Sequence, residues 1–515
     1  MNIVVTLAGH SRRFKDAGYS KPKFLIELDG KIMLEHVLEM FAFNDNFFFV
    51  VNTDQVANND ELLQTLESIR PRTSITIIKP HERGPIFSVL QITNLPPEEE
   101  VIISYCDFTV QWNYESFKRQ AHGSAMAIPA FSGFQPSSFG RTNYAYMKVD
   151  ADSNLIELRE KESFTKIKQD EAASAGIYYF CSWSLFKDFA IKLENIGYGK
   201  LSEGYVSLIS NLLVEGGYQV KVTNVRKFIC FGTPEDLDIF YFWQRYFRDM
   251  NSQSVYGSQK PNTVNVVPMA GKGRRFSEEH FRTRKPFIGV GAKPMVSRAC
   301  ASLPAAGKWI ILPLEEDAEK YPLQKLVEQS VSGEVRIISV PSVTSGQAAT
   351  CLLGMSEVNH DDEILISSCD YEVKYDFDDW SNLVNDKDVD ACLWCVRANV
   401  GLFKQPEAFA YCATQNGSNR VEKIFEKETI SDDPSKDPLV IGVFWFRRAS
   451  DFIDLAEQAI RDNITVNGEH YIANAMNLMI QRGKEVRVFW ADQWISFGDP
   501  FELEMYNFWD EYFDA

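Results

Sequence analysis

The chain has 515 residues, of which 45% are hydrophobic and 24% are charged, and its formal net charge is −18. These fractions are ordinary for a globular protein long enough to form two or more domains. The acidic excess argues against a nucleic-acid binder, because phosphate backbones are held by surplus Lys and Arg. An anionic ligand would have to be held by a local cluster of cations.

The sequence predicts neither a membrane segment nor an export signal. No stretch approaches the roughly 20 consecutive apolar residues of a membrane span. The N-terminal segment "MNIVVTLAGHSRRF" reaches its arginines too early for a secretory signal. We therefore expect a cytoplasmic protein that does not insert into a membrane.

Short apolar runs alternate with helical stretches along the chain. Strand-like runs are "NIVVTL", "FFFVV", "SITII" and "VIISY" in the first half, and "VNVVPM", "WIILPL", "VRIISV" and "EILISS" in the second. Stretches such as "IMLEHVLEMF" and "LLQTLESI" have helical spacing. The alternation predicts a mostly parallel sheet flanked by helices. Ligands of such sheets bind beyond the carboxyl ends of the strands.

A glycine turn with cations follows the first strand of each half, as "LAGHSRRF" at 7–14 and "MAGKGRRF" at 269–276. In the second turn, Gly271 and Gly273 let the backbone approach a triphosphate, and its amides can bind phosphate oxygens. Arg274, Arg275 and Lys285 add positive charge. The turn lacks the G-x-x-x-x-G-K-[ST] pattern of a P-loop, and a bare G-x-G alone also suits a structural turn.

The second half repeats the first as an ordered series of matching segments. The separation is 262 residues for Arg13 and Arg275, for Lys23 and Lys285, and for Gly84 and Gly346. It is 263 for Asp107 and Asp370, and 266 for Lys161 and Lys427, Gly176 and Gly442, and Tyr205 and Tyr471. This order predicts a tandem duplication with domains at 1–250 and 263–515. The polar segment 251–262 has the composition of a linker.

Asp107 and Asp370 each follow an apolar strand-like run. A carboxylate at that position can hold Mg²⁺ against phosphate oxygens, because this ion prefers hard oxygen ligands. A single aspartate supplies only one protein side chain to a metal ion, so water and substrate phosphates would have to complete the coordination. A helix cap or turn aspartate remains the structural alternative.

The combined pattern, "LAGHSRRF…KPKFLIEL" and "MAGKGRRF…RKPFIGV", resembles the A-G-x-G-x-R and P-K-P signature of the sugar-1-phosphate nucleotidyltransferases. These enzymes are also called nucleoside-diphosphate-sugar pyrophosphorylases. The resemblance covers both halves almost end to end. The segments "CDF", "CDY" and "GEHYIANAMNLMI" are most similar to bacterial enzymes of capsule and surface-polysaccharide synthesis.

The resemblance implies an α/β protein with two tandem Rossmann-like (GT-A-type) nucleotidyltransferase domains, each a mostly parallel sheet flanked by helices. It implies transfer of a nucleoside monophosphate from an NTP to a sugar 1-phosphate or related phosphorylated alcohol. Pyrophosphate would be released, and the product would be a polysaccharide precursor. The implied cofactor is Mg²⁺.

The resemblance also implies roles for individual residues in both halves. Arginines would stabilise the departing pyrophosphate, and lysines would contact the phosphates between which the bond breaks; these catalytic residues are Arg13, Lys23, Arg275 and Lys285. The nucleotide would lie against Ala8, Gly9, Gly84, Ala270, Gly271, Gly273 and Gly346, with the base on Gly84 and Gly346. The acceptor would contact Glu160, Lys161, Gly176, Glu426, Lys427 and Gly442, with its hydroxyls on the glutamates and its phosphate on the lysines. The metal ligands would be Asp107 and Asp370.

The chain departs from the family pattern at two places. Where the family carries a second metal-binding aspartate before G-T-P, this chain has Cys230 and Ser496, so another acid would have to replace it. Ser11 replaces a family glycine, and it would be strained if that position requires a positive φ. The segment 84–90, "GPIFSVL", is also bulkier than 346–352, "GQAATCL".

Three alternative interpretations stay open. One half could be catalytic while the other is a nucleotide-binding regulatory or assembly module. A GT-A glycosyltransferase using a nucleotide-sugar would share the sheet, but it usually carries D-x-D where this chain has "DFT" and "DYE". A dinucleotide-binding dehydrogenase would need a third glycine in the turn and an acidic residue at the end of the following strand, and neither half has them. The aromatic segments "FYFWQRYF" and "YNFWDEYF" are expected to be packing surfaces between halves or between subunits of a homo-oligomer.

Overall fold

The structure is a computed structural model that describes residues 1–140, 142–248, 260–397, 406–415 and 417–514. These residues divide into two units, Met1–Tyr241 and Phe242–Ala515. The division falls inside the helix Pro234–Arg248, before the boundary that we expected after residue 250. Most of the expected linker lies outside the described residues, and its last three residues, 260–262, begin a β-strand.

The first unit contains one large sheet, two small two-stranded sheets and helices on both faces of the large sheet. Its strands are β1 (Asn2–Thr6), β2 (Glu27–Leu28), β3 (Lys31–Ile32), β4 (Asn46–Asn52), β5 (Thr73–Ile78), β6 (Val101–Ser104), β7 (Phe108–Gln111), β8 (Met126–Phe131), β9 (Ala145–Val149), β10 (Leu155–Glu160), β11 (Ala172–Ser174), β12 (Ile177–Phe180), β13 (Val220–Asn224) and β14 (Lys227–Cys230). Its helices are α1 (Arg12–Asp16), α2 (Met33–Leu38), α3 (Thr53–Ala57), α4 (Leu62–Ile69), α5 (Pro85–Leu90), α6 (Tyr114–Ala121), α7 (Trp183–Ile196), α8 (Ile209–Glu215) and α9 (Pro234–Arg248).

The second unit has the same kind of architecture. Its strands are β15 (Lys260–Met269), β16 (Gly289–Val290), β17 (Lys293–Pro294), β18 (Ala306–Pro313), β19 (Glu334–Ile337), β20 (Glu363–Ile366), β21 (Tyr371–Lys374), β22 (Ala391–Arg397), β23 (Ala410–Thr414), β24 (Val421–Glu426), β25 (Pro438–Phe446), β26 (Val486–Trp490) and β27 (Gln493–Ser496). Its helices are α10 (Arg274–Glu278), α11 (Met295–Ala301), α12 (Glu315–Lys320), α13 (Leu323–Glu328), α14 (Gln347–Leu352), α15 (Phe377–Asn385), α16 (Ala449–Arg461), α17 (Ile472–Ala475), α18 (Asn477–Gln481) and α19 (Pro500–Phe513).

Both large sheets are mixed, with a parallel part that carries the glycine turn. In the first unit the order is β10-β9-β11-β8-β12-β6-β1-β4-β5, and β6, β1, β4 and β5 are parallel neighbours. In the second unit the order is β19-β18-β15-β20-β25-β22-β26, and β19, β18, β15 and β20 are parallel neighbours. An antiparallel strand, β12 or β25, follows the parallel set in each unit. The protein therefore has an α/β fold of the Rossmann-like type.

The inner parallel strands of each sheet, such as β1 and β15, bury both of their faces, which explains their unbroken apolar runs in the sequence. In β1, Ile3 and Val5 belong to one apolar core and Val4 to another, on opposite faces of the sheet. In β15, Val266 and Val267 divide in the same way. The carboxyl ends of β1 and β6, and of β15 and β20, meet at one edge of each sheet. This places each glycine turn beside a strand-end aspartate.

No helix among the described residues combines the length and the apolar character that crossing a membrane requires.

Candidate active site

The turn after β1 holds Ser11 in the left-handed region, with φ 53° and ψ 35°. Gly273 has nearly the same conformation in the second unit, with φ 61° and ψ 38°. A residue with a β-carbon is disfavoured there by roughly 1–2 kcal/mol. The Ser11 hydroxyl accepts a hydrogen bond from the backbone N–H of Lys23 at 3.3 Å. The positive φ that would strain a serine is thus present, and the Ser11 hydroxyl links the turn to a proposed catalytic lysine.

Two side chains at the carboxyl end of β4 and in the helix α3 that follows it brace the first glycine turn. Asn52 donates to the carbonyl of Ala8 at 2.8 Å, and Gln55 donates to the carbonyls of Leu7 at 2.7 Å and Gly9 at 3.1 Å. A β-carbon placed on Gly9 would have no other atom within 4 Å. The turn is therefore held from one side, and its other side faces open space.

In both units the lysine after the glycine turn pairs with the strand-end aspartate. Lys23 Nζ lies 2.6 Å from Asp107 Oδ2, and Lys285 Nζ lies 2.5 Å from Asp370 Oδ2. Burial would lower the lysine pKa values, but the adjacent carboxylates outweigh it and raise the pKa of both lysines. Burial would likewise raise the pKa of Asp370, but Lys285 holds it below its ordinary value. Both groups of the second-unit pair are therefore charged at neutral pH.

The two arginines of the site lie on its solvent side. Arg13 is exposed, and the Arg275 side chain is 66% exposed. Arg275 Nη1 lies 3.8 Å from Asp499 Oδ2. Such exposed pairs contribute little to stability. These guanidinium groups are available to a polyanion that enters the site.

A second carboxylate lies near Asp370, although not at the family position. Ser496 occupies that position and donates through its hydroxyl to Glu502 Oε2 at 2.7 Å. A β-carbon placed on Gly498 would lie 3.0 Å from Glu502 Oε2 and 3.6 Å from Asp370 Oδ2, so both carboxylates face one small space. Burial raises the pKa of Glu502 to about 7.

The first unit has a comparable carboxylate, Asp236, at the start of α9. Asp236 accepts hydrogen bonds from the backbone and the hydroxyl of Thr233, and burial raises its pKa to about 6. A β-carbon on Gly232 would lie 3.2 Å from Cys230 Sγ and 3.3 Å from Asp107 Oδ2. Asp236 and Glu502 are separated by 266 residues, so the repeat itself carried the signal that could have singled them out.

The glutamates that are predicted to bind the acceptor have different surroundings in the two units. In the first, the Ser207 hydroxyl donates to Glu160 Oε2 at 2.5 Å, and burial raises the pKa of Glu160. In the second, the residue that corresponds to Ser207 by the 266-residue offset is Ala473, which has no hydroxyl to donate. Burial raises the pKa of Glu426 to about 7.

The lysines that are predicted to bind the acceptor phosphate are held in a strained backbone conformation. Lys161 and Lys427 have φ values of 61° and 57°, a region that lysine rarely adopts. Their side chains donate to the hydroxyls of Tyr205 and Tyr471, the latter at 2.6 Å. Each tyrosine in turn donates to a glutamate, Glu203 or Glu469. Strain of this kind persists where the surroundings enforce it and concentrates at functional sites.

Tyr205 and Tyr471 correspond in the repeat, but the sequence pattern predicted no site role for either of them. Their hydrogen bonds orient the two lysine ammonium groups. Each lysine backbone N–H also donates at 2.9 Å, to the carbonyl of Tyr144 or Phe409. The signal available in the sequence was their constant offset from the lysines.

Gly84 and Gly346 lie where two backbone segments approach each other closely. A β-carbon on Gly84 would lie 2.7 Å from the backbone of Gly204, and one on Gly346 would overlap the backbone N of His470. Both glycines also have a positive φ, 88° and 142°. Protein backbone therefore occupies the space that a side chain would need. Close packing alone requires glycine here, and contact with the base stays a prediction.

The second unit contains a cavity of about 760 Å³ at the edge of its sheet. It is lined by six of the predicted site residues, Gly273, Arg275, Lys285, Asp370, Glu426 and Gly442. Tyr471 and Glu502 also line it. The predicted residues that do not line it are Ala270, Gly271, Gly346 and Lys427. One cavity thus joins the turn, the strand-end aspartate and a glutamate that is predicted to bind the acceptor.

One protein-family model matches part of the first unit. Residues 3–160 match the model of the MobA-like NTP transferase domain. The matched segment includes Arg13, Lys23, Gly84, Asp107 and Glu160. The match supports nucleotidyl transfer as the general chemistry of this part of the chain.

Solved structures of nucleotidyltransferases resemble parts of the chain. The nucleoside-diphosphate-sugar pyrophosphorylase from Vibrio cholerae aligns with 18% identity and a TM-score of 0.38, over 47% of this chain and 99% of its own. The inositol-1-phosphate CTP transferase from T. maritima aligns with 16% identity and a TM-score of 0.38, over 49% of this chain and 97% of its own. A search of curated proteins gave no match.

Proposed function

We propose that the protein transfers a nucleoside monophosphate from an NTP to a sugar 1-phosphate or related phosphorylated alcohol, with release of pyrophosphate. The observation that carries the proposal is the second-unit cavity. It brings Arg275 and Lys285 together with Asp370 and the acceptor residue Glu426. The first unit repeats the lysine–aspartate pair and the acceptor glutamate and lysine, so we propose a site of this kind in each unit.

The chemistry requires charge neutralisation and positioning rather than a protein nucleophile. An oxygen of the acceptor phosphate attacks the α-phosphorus of the NTP, and the bond to the β-phosphate oxygen breaks. Both reactants are anions, so cations that hold them together in line supply most of the catalysis. Lys285 lies inside the cavity and can contact the reacting phosphates. Arg275 is more exposed and suits the departing pyrophosphate.

The donor chemistry beside the strand-end aspartates fits Mg²⁺. Among the described residues, no group of three or more His, Cys, Asp or Glu side chains could hold a metal ion. The paired carboxylates of Asp370 and Glu502 nevertheless offer the hard oxygen atoms that Mg²⁺ prefers. Asp107 and Asp236 offer the same in the first unit. These residues would hold the ion with water and substrate phosphates, and the ion would supply further neutralisation of the triphosphate.

The glycosyltransferase alternative is weakened by the residue two positions after Asp370. Glu372 would be the second acid of a D-x-D-like pattern, but it is only 4% exposed. It accepts a hydrogen bond from Arg298 at 2.8 Å and another from the Tyr246 hydroxyl at 3.0 Å. Its carboxylate is thus engaged inside the unit. In the first unit this position is Thr109, which carries no carboxylate.

Two broader parts of the proposal rest on the sequence. The ordered repeat, together with the matching lysine–aspartate pairs, supports a tandem duplication. A role in polysaccharide precursor synthesis rests on the resemblance of "CDF", "CDY" and "GEHYIANAMNLMI" to enzymes of that process.

The test is an assay of pyrophosphate release by the full chain. Each of the four NTPs is combined with a panel of sugar 1-phosphates and phosphorylated polyols in the presence of Mg²⁺, and products are identified by mass spectrometry. The control is the double variant Lys23→Met/Lys285→Met, which should be inactive. Consumption of a nucleotide-sugar without pyrophosphate release would overturn the proposal in favour of glycosyl transfer.

A further inference from the structure

The residue two positions before each strand-end aspartate differs sharply in size between the units. In the first unit it is Tyr105, and a β-carbon on Gly176 would lie 3.2 Å from Cδ2 of its ring. The ring also makes an edge contact with Tyr178, at 5.8 Å between centroids. The Tyr105 hydroxyl accepts a hydrogen bond from the backbone N–H of Val206 at 3.4 Å. The ring therefore fills the space between Gly176, which directly precedes β12, and the segment that carries Tyr205.

The second unit has Ser368 at this position, and this serine lines the cavity beside Tyr371, whose hydroxyl accepts a hydrogen bond from the Ser368 N–H at 3.1 Å. The Ser368 hydroxyl donates to Asp370 Oδ1 at 2.5 Å instead of reaching across the site. The nearest atoms to a β-carbon on Gly442 belong to Tyr371, at 3.7 Å and beyond. Ser368, Gly442 and Ala473 all line the cavity of about 760 Å³.

The second difference concerns whether the glutamate carboxylate of each unit is already hydrogen-bonded by the protein or remains available to an acceptor hydroxyl. Ser207 already donates to the Glu160 carboxylate in the first unit. Ala473 cannot do so in the second unit, where Glu426 lines the cavity. An acceptor hydroxyl in the second unit can therefore donate to the half-buried Glu426 carboxylate in place of water, and burying a carboxylate without such a partner is costly.

We infer that the two units take different acceptors. The difference is set by Tyr105 and Ser207 in the first unit and by Ser368 and Ala473 in the second. The second unit takes a cyclic sugar phosphate, whose ring fills the volume that Tyr105 occupies in the first unit and whose hydroxyl binds Glu426. The first unit takes a smaller, open-chain phosphorylated alcohol. This inference rests on the proposed function, and it adds the acceptor class of each site.

The experiment reads each unit separately in the full chain. Arg275→Ala silences the second unit so that the first is measured, and Arg13→Ala does the reverse. Pyrophosphate release is followed at saturating NTP with hexose 1-phosphates and with open-chain polyol phosphates. The binding of the same acceptors to the protein is also measured by titration calorimetry under conditions in which no reaction occurs.

The two pairs of residues are then exchanged. Tyr105→Ser with Ser207→Ala should open the first unit to hexose phosphates, and Ser368→Tyr with Ala473→Ser should close the second. We expect each exchange to shift the ratio of kcat/KM between the two acceptor classes about tenfold or more, as for other small pocket differences. The single variants Ser207→Ala and Ala473→Ser change one hydroxyl each and should move the same ratio in the same directions. Ser210→Ala is the matched control, because that hydroxyl donates to the Ser207 carbonyl rather than to Glu160.

The outcomes separate the inference from the proposed function. If both units release pyrophosphate but the exchanged variants keep their original preferences, the inference is wrong and the proposed function stands. If no combination releases pyrophosphate, the proposed function is wrong, and calorimetry decides the inference. Equal binding of hexose and open-chain phosphates by the two units would then overturn it.

Discussion

The ammonium group of Lys285 lies 2.5 Å from the carboxylate of Asp370, and the two residues are 85 positions apart in the chain. The pair joins the segment after the glycine turn to the end of β20. A bound triphosphate would compete for Lys285, and a metal ion would compete for Asp370. Ligand binding should therefore exchange the direct contact for contacts with phosphate oxygens and with Mg²⁺.

Replacing the lysine should separate catalysis from folding. We expect Lys285→Met to lower the second unit's rate of pyrophosphate release by about 10²–10³, the usual effect of losing one group that stabilises developing charge. Lys23→Met should do the same in the first unit. Lys31→Met is the matched control, because Lys31 also pairs with a carboxylate, Glu39 at 2.6 Å, but on the surface. Rates that stay within twofold of the parent would contradict a catalytic role.

The two arginines test whether both units are catalytic. If they are, Arg13→Ala and Arg275→Ala should each remove one part of the activity, because a polyanion would lose its exposed cation in only one site. Steady-state assays with the acceptor preferred by each unit measure this. Arg336→Ala is a suitable control, since Arg336 pairs on the surface with Glu334. A variant that keeps full activity, beside one that abolishes it, would instead assign one unit to regulation or assembly.

The glycine turn offers a stability test. Gly273→Ala should lower the free energy of unfolding by about 1–2 kcal/mol, because alanine at φ 61° is strained. Its β-carbon would also lie 3.2 Å from Lys285 Cβ. Gly271→Ala is the control, since a β-carbon there would have no other atom within 4 Å. Urea unfolding compares the two variants, and equal effects would show that the left-handed conformation is not required.

Glu426 predicts a specific dependence of stability on pH. Its pKa is about 7 in the folded protein against an ordinary value of 4.5, so the native state binds its proton more tightly than the unfolded state does. The stabilisation that protonation provides is complete below about pH 4.5 and is lost as the pH rises through 7. Glu426→Gln should therefore gain stability relative to the parent between pH 5 and pH 8, on the order of 1–3 kcal/mol.

Urea unfolding at several pH values measures this difference. Glu422→Gln, an exposed position on the same strand, should show no such trend. A parallel pH dependence for the parent and Glu426→Gln would mean that the carboxylate does not titrate in this range.

Much of the site could be predicted because its residues lie at strand ends. An unbroken apolar run predicts a buried strand, and the residues just after such a strand must lie at the sheet edge. The prediction that Asp107 and Asp370 each follow a buried strand is confirmed, because they lie after β6 and β20. Ser11 could also be singled out, because a β-carbon at a glycine position has a known steric consequence.

The sequence by itself determined the alternation of strands and helices, the repeated order of charged residues and the place of each after a strand. These features arise from local steric and hydrophobic preferences. Only the tertiary structure decided that Glu502 faces Asp370, that Tyr471 orients Lys427, and that Tyr105 fills the space beside Gly176 whereas Ser368 lines a cavity. Each of these depends on how much volume remains where distant segments pack together, and no local pattern encodes that volume.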